Sequence, residues 1–125
     1  MNLKLPTFTT YQLALREAGV ETASARGFWG GVSNNGDIVL TAWIDAGTGG
    51  GGFQVWKPKT RHGGLMDMWD LGRIHVGAKV RVIIIRPKGH SSKLGDARSI
   101  HSAGLTSGYW RVTAAGEDKA VVEPM

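Results

Sequence analysis

The residues best equipped for chemistry in this chain are tryptophans and cations. Half of its ten aromatic residues are Trp, at 29, 43, 56, 69 and 110. Trp56 abuts Lys57, Lys59 and Arg61, with Pro58 and the Gly63-Gly64 pair close by. Aromatic surface beside clustered cations stacks bases while neutralising phosphate. The same Trp could equally anchor a strand end while its neighbours are simply solvated. The cations continue downstream with Arg73, Lys79, Arg81, Arg86 and Lys88. From Lys57 to Arg98 there are ten Lys and Arg against three acids, whereas the remainder has five against seven. The formal charge of +5 is thus concentrated in the middle third, where a basic face would attract polyanions.

Other chemistries lack their residues. There is no Cys, which excludes disulfides, thiolate catalysis and Cys-based zinc sites. The four histidines, at 62, 75, 90 and 101, have neither H-x-x-x-H nor H-E-x-x-H spacing, so no metal site is expected. Asp67 and Asp70 could share a helical face but read as solvated charges, and no Ser or Thr sits in a nucleophile elbow. The run Ala46–Gly52, A-G-T-G-G-G-G, lacks the Lys-Ser/Thr ending of a phosphate loop and reads as a flexible linker.

The elements that must position these residues centre on Gly72–Pro87. Val80, Val82 and Ile84 alternate with Arg81, Ile83 and Ile85. This β-branched run predicts a strand with one wet face at its start and two apolar faces by Ile83–Ile85, as in the middle of a sheet. Lys79 and Arg81 then point the same way by parity. A helix is predicted near the N-terminus, with Thr9 as N-cap and Gln12 completing a capping box. Phe8 and Leu13 have the spacing of a hydrophobic staple, Tyr11, Ala14, Leu15 and Ala18 form an apolar stripe, and Gly19 ends the helix. It reads as a plug on one end of a sheet.

Phe28–Val32 and Ile38–Ile44 predict a hairpin, with Asn35-Gly36 as a type I′ turn and Val32 opposite Val39. Gly30 and Gly31 inside it suggest a bend or a close approach. Phe53–Trp56 reads as a short strand, Leu65–Leu71 as one or two helical turns, and Lys88–Asp96 as a long mobile loop. Arg98–Ser102, Tyr109–Ala114 and Lys119–Glu123 close the chain as strands.

The fold class expected is mainly β, a β-rich α+β fold. It is a small, strongly bent antiparallel sheet or partly open barrel of about six short strands, with one N-terminal helix and a short helical segment near 65–71. Residues 1–125 form one domain, large enough for a core without staples. No apolar run approaches the roughly 20 residues that span a bilayer, and no secretory leader is evident, so a soluble cytoplasmic setting is expected. The function expected is a non-enzymatic module that binds nucleic acid through Trp56, Lys57, Lys59, Arg61, Arg73, Lys79, Arg81, Arg86 and Lys88, without cofactor or metal. The alternative is a small protein-binding inhibitor or adaptor, for example from a mobile genetic element, that acts on a nucleic-acid-handling complex.

Overall fold

Nine residues of β-branched and basic character, Lys79–Pro87, form the strand on which the other elements converge. The computed structural model describes residues 5–22, 28–59, 61–88 and 100–125. In chain order the elements are α1 (Tyr11–Glu17), β1 (Gly31–Val32), β2 (Ile38–Trp43), β3 (Phe53–Trp56), a 3-10 turn (His62–Gly64), α2 (Leu65–Asp70), β4 (Lys79–Pro87), β5 (Ile100–Leu105), β6 (Trp110–Ala115) and β7 (Lys119–Pro124). The strands make one seven-stranded sheet in the order β1-β2-β4-β6-β7-β3, with β5 also paired to β4. It bends but does not close into a barrel.

The fold is the β-rich α+β class that the composition predicts, with one departure. β2 and β4 run parallel, with Val39 beside Arg81 and Trp43 beside Ile85. Two strands can run parallel only if a crossover carries the chain back to the starting end. Here β3 and α2 provide it. The remaining pairs are antiparallel. β4 is bordered by β2 on one side, and on the other by β6 at Lys79–Val80 and by β5 from Ile83 onward.

Both faces of β4 are covered, as its apolar run requires. Val80, Val82 and Ile84 enter the hollow of the bend with Leu40, Trp110 and Val122, and α2 adds Leu65 and Trp69. Ile83 and Ile85 face the opposite way into a second cluster with Leu15, Val39 and Trp43. α1 therefore lies against a face of the sheet instead of plugging its end. In this second cluster the Trp29 and Trp43 rings are 5.6 Å apart, and both indole Nε1 groups are buried without a hydrogen-bond partner. Where β5 gives way to β6, Thr106 ties the corner. Its hydroxyl donates to the Val82 carbonyl at 2.8 Å and accepts from Trp110 Nε1 at 2.8 Å.

The expectations at the N-terminal end of α1 change. The N-cap of α1 is Thr10, whose hydroxyl accepts from Leu13 N. Thr9 is unavailable because its backbone exchanges two hydrogen bonds with Ala103 of β5. Leu13 is 46% exposed, so the staple with Phe8 is not formed. The C-terminal end is as predicted. Gly19 N donates to Arg16 O and Val20 N to Leu15 O, the paired bonds of a Schellman motif.

The hairpin register also differs. Val32 pairs with Ile38 and Gly31 with Val39, because the loop has three residues instead of two. Gly36 N donates to Ser33 O, Ser33 N to Asp37 O, and Asp37 N to the Ser33 hydroxyl. This is a type I turn over Asn34-Asn35 followed by Gly36 at φ +91°, a standard three-residue solution. β1 shrinks to two residues because Gly30, at φ +84°, turns the chain away. Phe28 and Trp29 therefore lie outside the paired strand, and Trp29 meets Trp43 through its ring and not through the strand register. The Ala46–Gly52 segment is held at both ends, by Gln54 N to Ala46 O and by Thr48 N to Gly52 O. Of the predicted loop Lys88–Asp96, all but Lys88 lies outside the described residues, as do Arg98 and His90.

Candidate nucleic-acid interface

The basic residues between 57 and 88 do not form one face. Most of them divide into three groups, and the division follows from strand parity and from α2.

The first group is neutralised. Lys57 leaves β3 on the side of α2 and pairs with Asp70, while Arg61 pairs with Asp67 and Asp70. The Asp70 carboxyl is held below its ordinary range, chiefly by the Lys57 hydrogen bond; desolvation opposes this, and the Lys57 and Arg61 charges add smaller lowering contributions. Trp69 fixes α2 by donating from Nε1 to Gly116 O at 3.2 Å. Asp67 and Asp70 are thus the partners of two cations that the composition counts as available.

The second group lies at the far end of β4. Arg86 stacks its guanidinium 4.1 Å over the Phe8 ring and donates from Nε to the Ser102 hydroxyl at 2.8 Å. His101 Nδ1 lies 3.3 Å from that same hydroxyl. Ser102 thus sits beside a base, though its oxygen is already held by Arg86. By parity Arg86 projects to the opposite face from Lys79 and Arg81. Lys59, Arg73 and Lys88 are exposed on loops outside the three groups.

The third group forms an organised cluster. Lys79 and Arg81 project from one face of β4, as parity predicts. Lys79 Nζ lies 4.3 Å from the Tyr109 ring centroid and the Arg81 guanidinium carbon 5.4 Å from it. Both are within cation–π range. Arg81 also donates weakly to Thr106 O at 3.4 Å, and its Nε is buried without a partner. β6 brings Arg111 directly opposite Lys79. None of the three makes an ion pair among the described residues.

Tyr109 is itself fixed by the hairpin tip. Its hydroxyl donates to Asp37 Oδ2 at 2.9 Å, and Asp37 is held in place by Ser33. The phenol is raised above its ordinary value, chiefly by that hydrogen bond, then by desolvation and the Asp37 charge, with Arg81 opposing. It stays protonated near neutrality. The ring therefore acts as a fixed neutral platform that restrains two cations before any ligand arrives, which lowers the ordering cost of binding an anion.

Trp56 lies on the same outer surface, two strands further on. It is opposite Lys119 of β7, while the Lys57 side chain leaves toward α2. Its cationic neighbour by register is therefore Lys119, which the local sequence does not suggest. Tyr109, Arg111, Lys119 and Asp37 are the residues that reading the sequence missed. The alternation of Tyr109, Arg111 and Thr113 was visible, but the register that puts Arg111 beside Lys79 was not.

Among the described residues no group of three or more His, Asp or Glu is placed to hold a metal ion, and no helix is long and apolar enough to cross a membrane. Comparison with protein-family models, with curated proteins and with solved structures finds no match for this chain.

Proposed function

We propose that this chain is a non-enzymatic nucleic-acid-binding module of the cytoplasm, with Lys79, Arg81 and Arg111 as its phosphate contacts. The observation that carries this reading is the restraint of Lys79 and Arg81 over Tyr109, with Arg111 alongside; Glu123 of β7 stands opposite Arg111, but among the described residues none of the three cations makes an ion pair. Exposed cations without a role usually extend into solvent. Three gathered on adjacent strands make a surface for a phosphate backbone. Lys119 extends it across β7.

With these four residues neutralising four phosphates, log K should fall against log salt with a slope of about −3 on single strands and about −3.5 on duplex. Fluorescence anisotropy with labelled oligonucleotides at low salt measures this. The Lys79→Glu/Arg111→Glu variant should lose binding. Lys57→Gln/Arg61→Gln should keep it within about twofold, because those cations already face carboxylates and such exposed pairs contribute little to folding. If no oligonucleotide binds below roughly 100 μM, weaker than most non-specific binding, the proposal fails.

A second reading rests on a different observation. Leu71 and Val76 are 66% and 64% exposed; Val76 lines a cleft with Trp69, Ile74 and Lys57, and Leu71 sits in the chain between Asp70 and Gly72 of that lining. Exposed apolar side chains beside a cleft suit a protein partner, as an inhibitor or adaptor would require. Binding through that cleft would survive high salt and be lost on Leu71→Asp/Val76→Asp.

A further inference from the structure

A cleft of about 480 Å³ opens on the outer surface between the end of β2 and β3, lined by Trp43, Asp45, Thr48, Gln54 and Trp56. Its volume is within the range of small-molecule sites. We infer that this cleft is a nucleobase-binding subsite, selective for bases that carry an exocyclic amino group. The inference rests on the nucleic-acid reading above and adds the strandedness and base preference of the ligand.

Three observations converge here. First, the lining combines aromatic and polar groups without a cation. Trp56 is half-buried and Gln54 exposed, and the two project to the same side of β3, two residues apart. A Trp face stacks any base. The Gln54 amide offers both a donor and an acceptor, and the Asp45 carboxylate offers acceptors only. A carboxylate accepts from the amino group of cytosine, and an amide can pair with both edge atoms of adenine. The carbonyl that uracil and thymine carry at the corresponding position would meet the carboxylate with like polarity. Secondly, the cleft has a firm floor: Trp43, which lines it, is fully buried and packs its ring 5.6 Å from that of Trp29. Thirdly, the cleft continues the basic surface. From β4 through β6 and β7 to β3 is three strand spacings, roughly 14 Å across; because Glu123 is the residue opposite Arg111 and Lys119 lies four residues along β7 from it, the path from Lys79 to Trp56 is a diagonal of roughly 20 Å. Lys79 and Arg111 stand at one end of that path, Lys119 at the strand before the last, and Trp56 opposite Lys119. A single strand with its phosphates on the cations can turn a base into the cleft. A duplex keeps its bases paired and cannot.

The test compares three eight-nucleotide probes: oligo(dC), oligo(dT) and an abasic strand with the same number of phosphates. Anisotropy and tryptophan quenching are read together. Wild type should bind oligo(dC) roughly tenfold tighter than the abasic strand, within the range expected for one stacked base, with oligo(dT) between them. Trp56→Ala should reduce oligo(dC) to the abasic level while leaving abasic binding unchanged. Asp45→Asn should remove the preference for oligo(dC) over oligo(dT). Gln54→Ala, at an exposed position, gives a second reading should the tryptophan variant fold poorly, and should weaken oligo(dC) alone.

Equal binding of oligo(dC) and the abasic strand by wild type overturns the subsite and leaves the phosphate surface standing. Quenching by neutral oligosaccharides in place of oligo(dC), lost on Trp56→Ala, overturns it in favour of a sugar site. Failure of all three probes to bind removes the nucleic-acid reading itself, and the subsite with it.

Discussion

Replacing Gly30 by Ala should be among the most damaging single-methyl additions to this protein, and the structure allows the cost to be divided. Gly30 has φ +84°. An added Cβ would sit 2.3 Å from the Val39 carbonyl oxygen and 2.9 Å from Leu65 Cδ2. The conformation alone costs a non-glycine residue about 1–2 kcal/mol. The clash adds to this. The Leu65 methyl can rotate, but the Val39 carbonyl cannot easily retreat, because Val39 pairs with Gly31 on one side and Arg81 on the other. Forcing a methyl into such a site costs about 1–3 kcal/mol more. The total of about 2–5 kcal/mol is a large share of the 5–15 kcal/mol typical of a domain. Gly36 is the control. Its φ is +91°, yet an added Cβ would meet nothing within 4 Å. Gly36→Ala should therefore cost only the conformational part, partly offset by the stiffer unfolded chain. Urea unfolding of the two variants, with slopes matching wild type, gives the difference directly. If the two cost the same within about 0.5 kcal/mol, the close approach of Gly30 to β2 is not as described.

The remaining predictions concern buried hydroxyls and the tyrosine platform. Tyr11 exchanges a 2.7 Å hydrogen bond with the Thr41 hydroxyl and accepts one of 2.7 Å from Gly30 N; Tyr11→Phe should cost about 1–3 kcal/mol at neutral pH by stranding both partners. Burial pushes the Tyr11 phenol up to about 12 from 10, against those hydrogen bonds. The unfolded chain therefore loses this proton first, so stability should be level below pH 10 and fall by about 1.4 kcal/mol per pH unit up to about 12. Denaturation across that window should show Tyr11→Phe without this share of the decline. Asp37→Ala should lower the Tyr109 phenol toward its ordinary value by removing both the hydrogen bond that is the main cause of its shift and the Asp37 charge, as read by ultraviolet titration. Thr106→Val should leave Trp110 Nε1 buried without its acceptor and cost about 1–3 kcal/mol in the same urea assay.

The strands whose apolar residues alternate or run together were legible because burial depends only on local parity. Val80–Ile85 and Phe53–Trp56 are of this kind. The Thr10 cap was not legible, since Thr9 and Thr10 are equivalent caps until Ala103, far along the chain, claims the Thr9 backbone. Asn35-Gly36 points to a two-residue turn only while Ser33 is treated as a strand residue; its hydroxyl, accepting from Asp37 N, makes it part of the loop. Strand direction was less visible still. The apolar faces of Ile83–Ile85 signalled a central strand, but nothing local marks β2 and β4 as parallel. For the interface, composition counts cations without locating their partners. Asp67 and Asp70 reach Lys57 and Arg61 only because α2 folds back beside β3. The Lys79–Arg111 pairing depends on the register between β4 and β6, two strands not joined by a tight turn that would fix it.

The parallel contact between β2 and β4 also bears on the order in which the chain assembles. The β1–β2 and β6–β7 hairpins are local and can form within microseconds. Joining them requires β4, and β4 can meet β2 only by closing the long segment that runs through β3 and α2. That closure loses chain entropy before any contact repays it, which places folding in the slower range typical of non-local sheets. Substitutions that trim Val82 or Ile84 should then slow folding, whereas those in β7 should chiefly hasten unfolding. Until β4 docks, its two apolar faces remain open to other chains. The period in which this protein is most prone to aggregate should therefore be the interval before that one strand finds its place.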